Sequence, residues 1–562
     1  MNTKLVRSVV LLLLALTCRF SGAQAPASLA PSDSKVRQIL ADRIDTYKKS
    51  RGIVVGVVTA QGTSVVAYGA HDEQDNRALS ADSVFEIGSI SKVFTALLLM
   101  DMVQRGEVKL EDPVAKYLPT TVLLPSRNGK VITLVDLAMH VSGLPRMPSN
   151  IAPKDPTNPY ADYTVQQMYE FLSKYQLTRD VGEQYEYSNL GAGLLGHSLA
   201  LRAGTDYETL LRERILQPLG MKSTGIALTP DMRVRLVPGH TAALRRTSNW
   251  DIPTLAGAGA IRSTVKDMLT FLAANMGIKT SRLEPAMKAM LSKRHSAARG
   301  NVEIAIGWHI LNRFGNEIIW HNGGTGGYHS FIGFDPRRQI GIVVLSNSAN
   351  DIDDIGRHLL DPHHELAKLT PTKEHKEIAV DPKIYDEYVG VYEFTPAFKI
   401  TITREGNKLY EQATGQGRLQ IHPESVTGYF LTEVDAQITF EKDAKGQVFQ
   451  LILHQGGIEQ RAKRVSAATP VRKSITVASE ISAAYVGKYE LAPNFILTIT
   501  SEKGALFLQA TGQPRFEMLA ESETNWFLKE VDAQITFVRD AGKVNQVILH
   551  QNAANMPARR IE

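Results

Sequence analysis

The 562-residue chain has a single cysteine, Cys18. One cysteine closes no intramolecular disulfide. If the N-terminal segment that holds it is removed, the mature chain has no thiolate nucleophile and no cysteine metal site. One-sided charge is also scarce. The net charge is +5 from 63 Lys and Arg against 58 Asp and Glu, with no concentrated basic run. Nucleic acid is therefore not an expected partner. Long hydrophobic runs are missing as well, so no membrane span is expected once the N-terminus is cleaved.

The N-terminus has the layout of a secretory signal. Lys4 and Arg7 form a positive start, Val9 to Leu16 a short apolar stretch, and Ser21-Gly22-Ala23 a small-residue cleavage site. Removal of residues 1–23 takes away Lys4, Arg7 and Arg19 and no acid, which lowers the net charge from +5 to +2. Cys18 as a lipid anchor is the less favoured alternative, because Thr17 suits a lipidated cysteine poorly. A periplasmic or secreted location is expected.

What is present is globular: 43% hydrophobic and 22% charged residues, in a chain long enough for two to four domains. Residues 33–50 predict an amphipathic helix with Val36, Ile39, Leu40 and Ile44 on one stripe. IVVGVVTAQG and TSVVAYG predict two strands joined by a turn. A helix follows, running to about Gln104. Helical patterns dominate from about 110 to 300. Strand patterns return in EIIWHNGG, HSFIGFD and QIGIVVLSN, and a last helix is expected over about 351–368. Strands at both ends of a helical middle suggest an antiparallel sheet closed by the first and last strands. Both terminal helices would lie on one face and the helical insertion on the other.

After residue 369 the texture changes to alternating strand patterns, and it repeats. Tyr388-Val389-Gly390 returns as Tyr485-Val486-Gly487, and Ala413-Thr414-Gly415-Gln416 as Ala510-Thr511-Gly512-Gln513. EVDAQITF at 433–440 returns at 530–537, all at an offset of 97, and His454-Gln455 recurs one residue short of it at His550-Gln551. About eight short segments per copy suit a small up-and-down barrel. The expected layout is a signal over 1–23, a main domain over 24–368, a linker over 369–382, a barrel over 383–466, a linker over 467–481 and a second barrel over 482–562.

Chemistry centres on Ser89-Ile90-Ser91-Lys92, at the start of a helical run. Residues three apart there share a face. Burial lowers a lysine pKa enough for a neutral amine to take a serine proton. Alone, the pair reads as a helix cap and a solvated lysine. Two further motifs follow in order: Tyr187-Ser188-Asn189 and His321-Asn322-Gly323.

Together the three motifs resemble the signature of the penicillin-recognising serine hydrolases. The Tyr-x-Asn form is similar to the class C β-lactamase branch, which includes D-alanyl-D-alanine carboxypeptidases, D-aminopeptidases and family VIII esterases. ITLVDLAMHVSGLP, ILQPLGMKSTGI and GAIRSTVKDMLTFL resemble stretches typical of that branch, over about residues 36–350. The resemblance implies an α+β, β-lactamase/transpeptidase-like fold and an acyl-enzyme on Ser89, with no cofactor and no metal. Lys92 would share or remove the serine proton. Tyr187, as a phenolate held by nearby cations, would pass a proton to the leaving group. Asn189 would bind the substrate's amide or acyl side chain. The amides of Ser89 and Gly324 would form the oxyanion hole. His321 and Gly323 would line the cleft on an edge strand, with Gly323 admitting substrate backbone.

His321 and Asn322 depart from the Lys-Thr-Gly usual in class C β-lactamases, which puts carboxylate recognition by this motif in doubt. The departure ranks a D-amino-acid peptide first as substrate, with peptidoglycan fragments in that class, and β-lactam and ester bonds next. The two barrels resemble a D-aminopeptidase architecture of lipocalin-like repeats. A dimer is compatible with the sequence. Other classes stay open: a non-catalytic peptidoglycan sensor on the same fold, or barrels acting as lipid or peptide binders if their interiors are hollow. Gly196-His197-Ser198 reads as helical packing rather than a nucleophile elbow. His358, His363 and His364 read as surface histidines, Trp308 as cleft or core, and Arg262 as a structural ion pair.

Overall fold

The computed structural model describes residues 30–562, apart from 152, 156, 298–299, 372–374, 397, 415–417, 433, 435, 456–457, 468–473, 493–494, 503, 512, 514, 529–530, 532, 541–542 and 552–553. The expected signal segment with Cys18 lies outside the described residues, as do parts of the repeated ATGQ and EVDAQITF segments.

One nine-stranded sheet organises the first unit. Its strands are β1 (Gly52–Thr59), β2 (Gly62–Asp72), β3 (Asp75–Ala78), β4 (His295–Ser296), β5 (Val302–Ile304), β6 (His309–Arg313), β7 (Asn316–Gly324), β8 (His329–Asp335) and β9 (Ile340–Ser346), in the order β3-β2-β1-β9-β8-β7-β6-β5-β4. The first and last strands meet in the middle, antiparallel, with Val55 opposite Val344. Almost every position of β1 and β9 is apolar because both faces are covered.

Alternation sorts the side chains between two layers. Ile53, Val55 and Val57 join Ile342, Val344 and Phe331 against the helices Asp33–Ala41 and Asp353–Leu360. Val54, Val58, Val343, Leu345 and Ile332 face the other way, against the helices Ser91–Gln104 and Val265–Asn275. The Ser91–Gln104 helix is buried all round from Ser91 to Met102, which its unbroken apolar sequence requires of a central helix.

The last helix is shorter than the sequence pattern suggests. It ends at Leu360, with Asp361 extended, because Pro362 follows and lacks the amide that another turn needs. The segment 196–198 lies within the helix Asn189–Ala203, as expected. Trp308 is fully buried, edge-on to Phe334 at 5.7 Å, so it is a core residue.

Two closed eight-stranded barrels follow, Gly390 to Ser466 and Gly487 to Arg560. The sequence repeat is repeated in bonds. Tyr388 stacks on Phe440 at 4.2 Å and Tyr485 on Phe537 at 3.7 Å. The Tyr388 hydroxyl donates to Val426 O and that of Tyr485 to Glu523 O, each at 2.8 Å. Tyr392 and Tyr489 donate to the carbonyls of Tyr388 and Tyr485. Even the one-residue slip is kept: Arg464 bonds Val448 O and Val389 O, while Arg560 bonds Val544 O and Val486 O.

Each barrel interior holds a continuous cluster of buried side chains. That packing disfavours a lipid or peptide carried inside, and leaves the outer faces for contact. One such face meets the first unit, where the Arg245 guanidinium stands 5.7 Å from the Phe430 ring.

Candidate active site

Ser89 lies in the short 3-10 turn Gly88–Ile90 that leads into the Ser91–Gln104 helix. Gly88 has φ +49, a left-handed conformation that a side chain would strain, and a Cβ there would stand 2.8 Å from Gly324 N. The turn is pinned from beneath: the Ser91 hydroxyl donates to Gly88 O at 2.7 Å and accepts from Ile261 N at 3.1 Å. Ser89 is left half-buried between the buried Gly88 and Ile90.

Lys92 sits in the first helical turn, where side chains tilt towards the N-terminus, and so reaches back to Ser89. Its Nζ is 2.9 Å from Ser89 Oγ and donates to Ala258 O at 2.7 Å. Burial first, and then the charge of Arg146, holds the Lys92 amine well below the usual lysine range. A neutral amine beside a serine hydroxyl is the arrangement that proton abstraction needs.

Tyr187 closes the group, with Lys92 Nζ 4.8 Å and the Arg146 guanidinium 5.1 Å from its ring centre. Burial pushes the phenol above the ordinary tyrosine range, and a hydrogen bond with Ser89 and the charge of Arg146 offset this only in part. The phenolate expected from neighbouring cations is therefore disfavoured, because desolvation outweighs them. Asn189 starts the helix Asn189–Ala203, and Ser188 caps it by accepting from Gly191 N at 2.8 Å.

The opposite wall is the end of β7. His321 is buried, and its Nδ1 is 2.6 Å from Asn322 O, so Nδ1 carries the proton. Burial, His309 and Lys92 all hold its pKa well below the usual histidine range, which leaves a neutral imidazole. Asn322 turns away and donates to Asp353 Oδ2 at 2.8 Å. Gly324 is exposed.

Two expectations change here. β7 is not an edge strand, since β6, β5 and β4 lie beyond it; β6 pairs with it only as far as Trp320, so residues 321–324 outrun that partner. Gly323 is required by the protein's own backbone. A Cβ there would collide with Ile87 O and stand 2.8 Å from Ser89 N, so glycine is what lets the strand lie against the nucleophile turn.

The fold also brings in residues that the motifs do not name. His140 Nδ1 accepts from Ser188 N at 3.1 Å, and its ring lies 4.5 Å from that of Tyr187. His309 is 4.9 Å from His321, ring to ring, and burial lowers its pKa to about 4. His140 stood in a recognisable stretch, VDLAMHVSGLP. His309 and Arg146 had no signal beyond their residue type.

Arg262 forms the expected structural pair, 3.3 Å from Glu86, and also donates to Ile226 O and Trp250 O. Of the three histidines expected at the surface, His363 is exposed and pairs with Asp361, but His364 is buried, and its carbonyl is 2.8 Å from the half-buried His358 Nδ1.

Comparison with known proteins places this geometry. The β-lactamase family model matches residues 37–361, and a domain of unknown function (DUF3471) matches twice, over 374–464 and 471–560. The chain is 31% identical over 320 residues to the D-alanyl-D-alanine-carboxypeptidase/endopeptidase AmpH of Escherichia coli, covering 54% of this chain and 81% of that one. It is 26% identical over 445 residues to penicillin-binding protein 4* of Bacillus subtilis, covering 73% and 94%. The solved β-lactamase/D-alanine carboxypeptidase of Yersinia pestis superposes with a TM-score of 0.52 at 26% identity, covering 60% of this chain and 99% of that one. With a family model spanning more than half its length and the Ser89–Lys92 pair in place, the chain belongs to the β-lactamase family of serine hydrolases.

Proposed function

We propose that this protein is an exported serine hydrolase that cleaves amide bonds in peptides containing D-amino acids, as a DD-carboxypeptidase or D-aminopeptidase does. The observation that carries it is the buried Lys92 amine 2.9 Å from Ser89 Oγ. Ser89 Oγ bonds to the substrate carbonyl carbon while its proton passes to Lys92. The Tyr187 phenol protonates the departing amine and is reprotonated from Lys92; water then bonds the acyl carbon, its proton passing through Lys92 and Tyr187 to Ser89 Oγ as the Oγ–acyl bond breaks. The amides of Ser89 and Gly324 hold the oxyanion. Asn189 binds the substrate's amide or acyl side chain, and His321 and Gly323 shape the far wall.

The peptide substrate is favoured by that far wall. His321 is a neutral donor–acceptor rather than a cation, and Asn322 is engaged by Asp353. The relative at 31% identity bears the name of a carboxypeptidase/endopeptidase. The division into a hydrolase unit over 24–368 and barrels over 383–466 and 482–562 makes the barrels contact modules, with Phe430 of the first barrel set against Arg245 of the hydrolase unit. Export rests on the N-terminal sequence; among the described residues, no helix is long and apolar enough to cross a membrane.

The test is one panel on the purified protein: D-Ala-D-Ala peptides, D-amino-acid p-nitroanilides, nitrocefin and short p-nitrophenyl esters. The peptide substrates are expected to show the highest kcat/KM, and Ser89→Ala is expected to abolish turnover of all four with the fold intact. Turnover retained by Ser89→Ala would overturn the acyl-enzyme. Highest turnover on nitrocefin or the esters would overturn the peptide assignment.

A further inference from the structure

Neutralising His321 and diverting Asn322 leaves a question of charge: which group in this cleft recognises an anion? Lys92 is buried and held neutral-leaning by desolvation. His140, His309 and His321 all have pKa values lowered by burial. The guanidinium of Arg146 is different. It is always charged, its residue is exposed, and among the described residues it has no acidic partner.

Its backbone is fixed by the element that presents Asn189. Arg146 O accepts from Asn189 N at 2.9 Å and from Leu190 N at 3.3 Å. The neighbouring Pro145 O accepts from the Ser188 hydroxyl at 2.6 Å. The loop is thus tied to the start of the Asn189–Ala203 helix, and the guanidinium stands 5.1 Å from the Tyr187 ring centre. Its charge bears on Lys92, Tyr187, Tyr160 and His140 alike. An unpaired guanidinium offers a planar fork that fits a carboxylate with two parallel hydrogen bonds.

From its exposure, its lack of an acidic partner and its tether to Asn189, we infer that Arg146 is a specificity-determining residue that binds a carboxylate on the acyl-donor side of the substrate. The assignment to that side rests on the proposed role of Asn189. The substrate class this selects is a peptide whose acyl-donor residue carries a free carboxylate, such as a side-chain or α-carboxylate next to the scissile amide. Third-motif residues then contribute shape rather than charge.

The experiment uses three matched amide substrates: neutral, carboxylate on the acyl side, and carboxylate on the leaving-group side. Wild type, Arg146→Gln and Arg146→Lys are compared by the ratio of kcat/KM between substrates, which cancels any general effect on Lys92 or Tyr187. Wild type is expected to favour the acyl-side carboxylate by roughly ten- to a hundredfold. Arg146→Gln should lose that ratio, and Arg146→Lys should keep part of it. A ratio unchanged in Arg146→Gln, no wild-type preference, or a preference for the leaving-group carboxylate would each overturn the inference. Binding of the same three compounds to Ser89→Ala, with and without Arg146→Gln, separates the two claims. An Arg146-dependent preference in binding without wild-type turnover keeps the anion site and removes the hydrolase assignment. Turnover without the preference does the reverse.

Discussion

Gly323→Ala is the substitution that most directly probes how the cleft is built. The new methyl group would stand 2.8 Å from Ser89 N and 2.7 Å from Ser330 Oγ, and would overlap Ile87 O. An ordinary contact is roughly 3.5 Å, so about 0.7 Å must open between β7 and the nucleophile turn at the Ser89 contact alone. Neither side yields easily. Ile87 O is held by the Ser330 hydroxyl at 2.9 Å and by Ile90 N at 3.2 Å, and β7 is paired with β8 through Gly323 opposite Ser330. The overpacking should cost about 1–3 kcal/mol of stability. The larger effect is on chemistry, because the same shift moves the amide of Gly324 away from that of Ser89. A misplacement of about 1 Å costs about a hundredfold in rate, similar to losing one oxyanion donor.

The expected outcome is a fall of about a hundredfold in kcat, with KM changed far less and a cooperative melt retained. Gly341→Ala is the matched control. Its Cβ would press on Val58 at 2.8 Å and the sulfur of Met276 at 2.9 Å, within the core and away from Ser89. It should share the stability loss and keep kcat. A Gly323→Ala enzyme within threefold of wild-type kcat would refute the claim that this strand and the nucleophile turn jointly form the oxyanion site.

Two further outcomes follow from the buried charges. Because burial depresses Lys92, kcat/KM should rise with pH through a value well below the usual lysine range and then level off. Lys92→Arg, which cannot give up its proton, should lose about a hundredfold or more and should not recover as pH rises; activity within tenfold of wild type would exclude Lys92 as the base. Arg262→Met leaves Glu86 buried without its cation and should destabilise the fold by about 3–5 kcal/mol at neutral pH. Burial already raises Glu86, and loss of Arg262 raises it further. A carboxyl whose folded pKa is raised favours the fold below its unfolded value, near 4, and loses that contribution as pH rises through the folded value. The defect measured by chemical denaturation should therefore be smaller at pH 4 than at pH 8, and a pH-independent loss would count against the pairing.

What the sequence revealed was whatever local pattern encodes. The continuous apolar runs of Ile53 to Val58 and of Ile340 to Leu345 read directly as strands of a sheet buried on both faces. The 97-residue repeat names its own barrel core, since Tyr388 and Tyr485 recur with the partners that they stack on. Ser89 and Lys92 were legible because three residues along a helix is a distance fixed by geometry. Desolvation is not local in this sense. That Tyr187 is held as a phenol depends on burial contributed by distant segments, and so does the neutrality of His321. The end of the last helix at Leu360 was in the sequence, in Pro362, against an apolar pattern that ran past it.

The motif pattern also left the anion-recognising group of the cleft unassigned. Three ordered motifs lead one to look for the anion-recognising group at the third, and there His321 and Asn322 look like a loss. In space, Tyr187 stands between the third motif and the Arg146 side chain, which lies just past the recognisable stretch that ends at Pro145. Asn189 holds the Arg146 carbonyl through its backbone amide, so the second motif positions the Arg146 loop without any signal in its own side chains. An arginine at 146 is one among many until helix 189–203 and the 142–147 loop are known to be tied together. The positive charge that the His-Asn-Gly strand lacks then stands across the cleft, 5.1 Å from the Tyr187 ring centre. A substrate that needs a cation would have to present its carboxylate there. On the proposed assignments the two walls divide the work: β7 and the nucleophile turn set the reacting carbonyl, and the Arg146 loop selects the acyl donor.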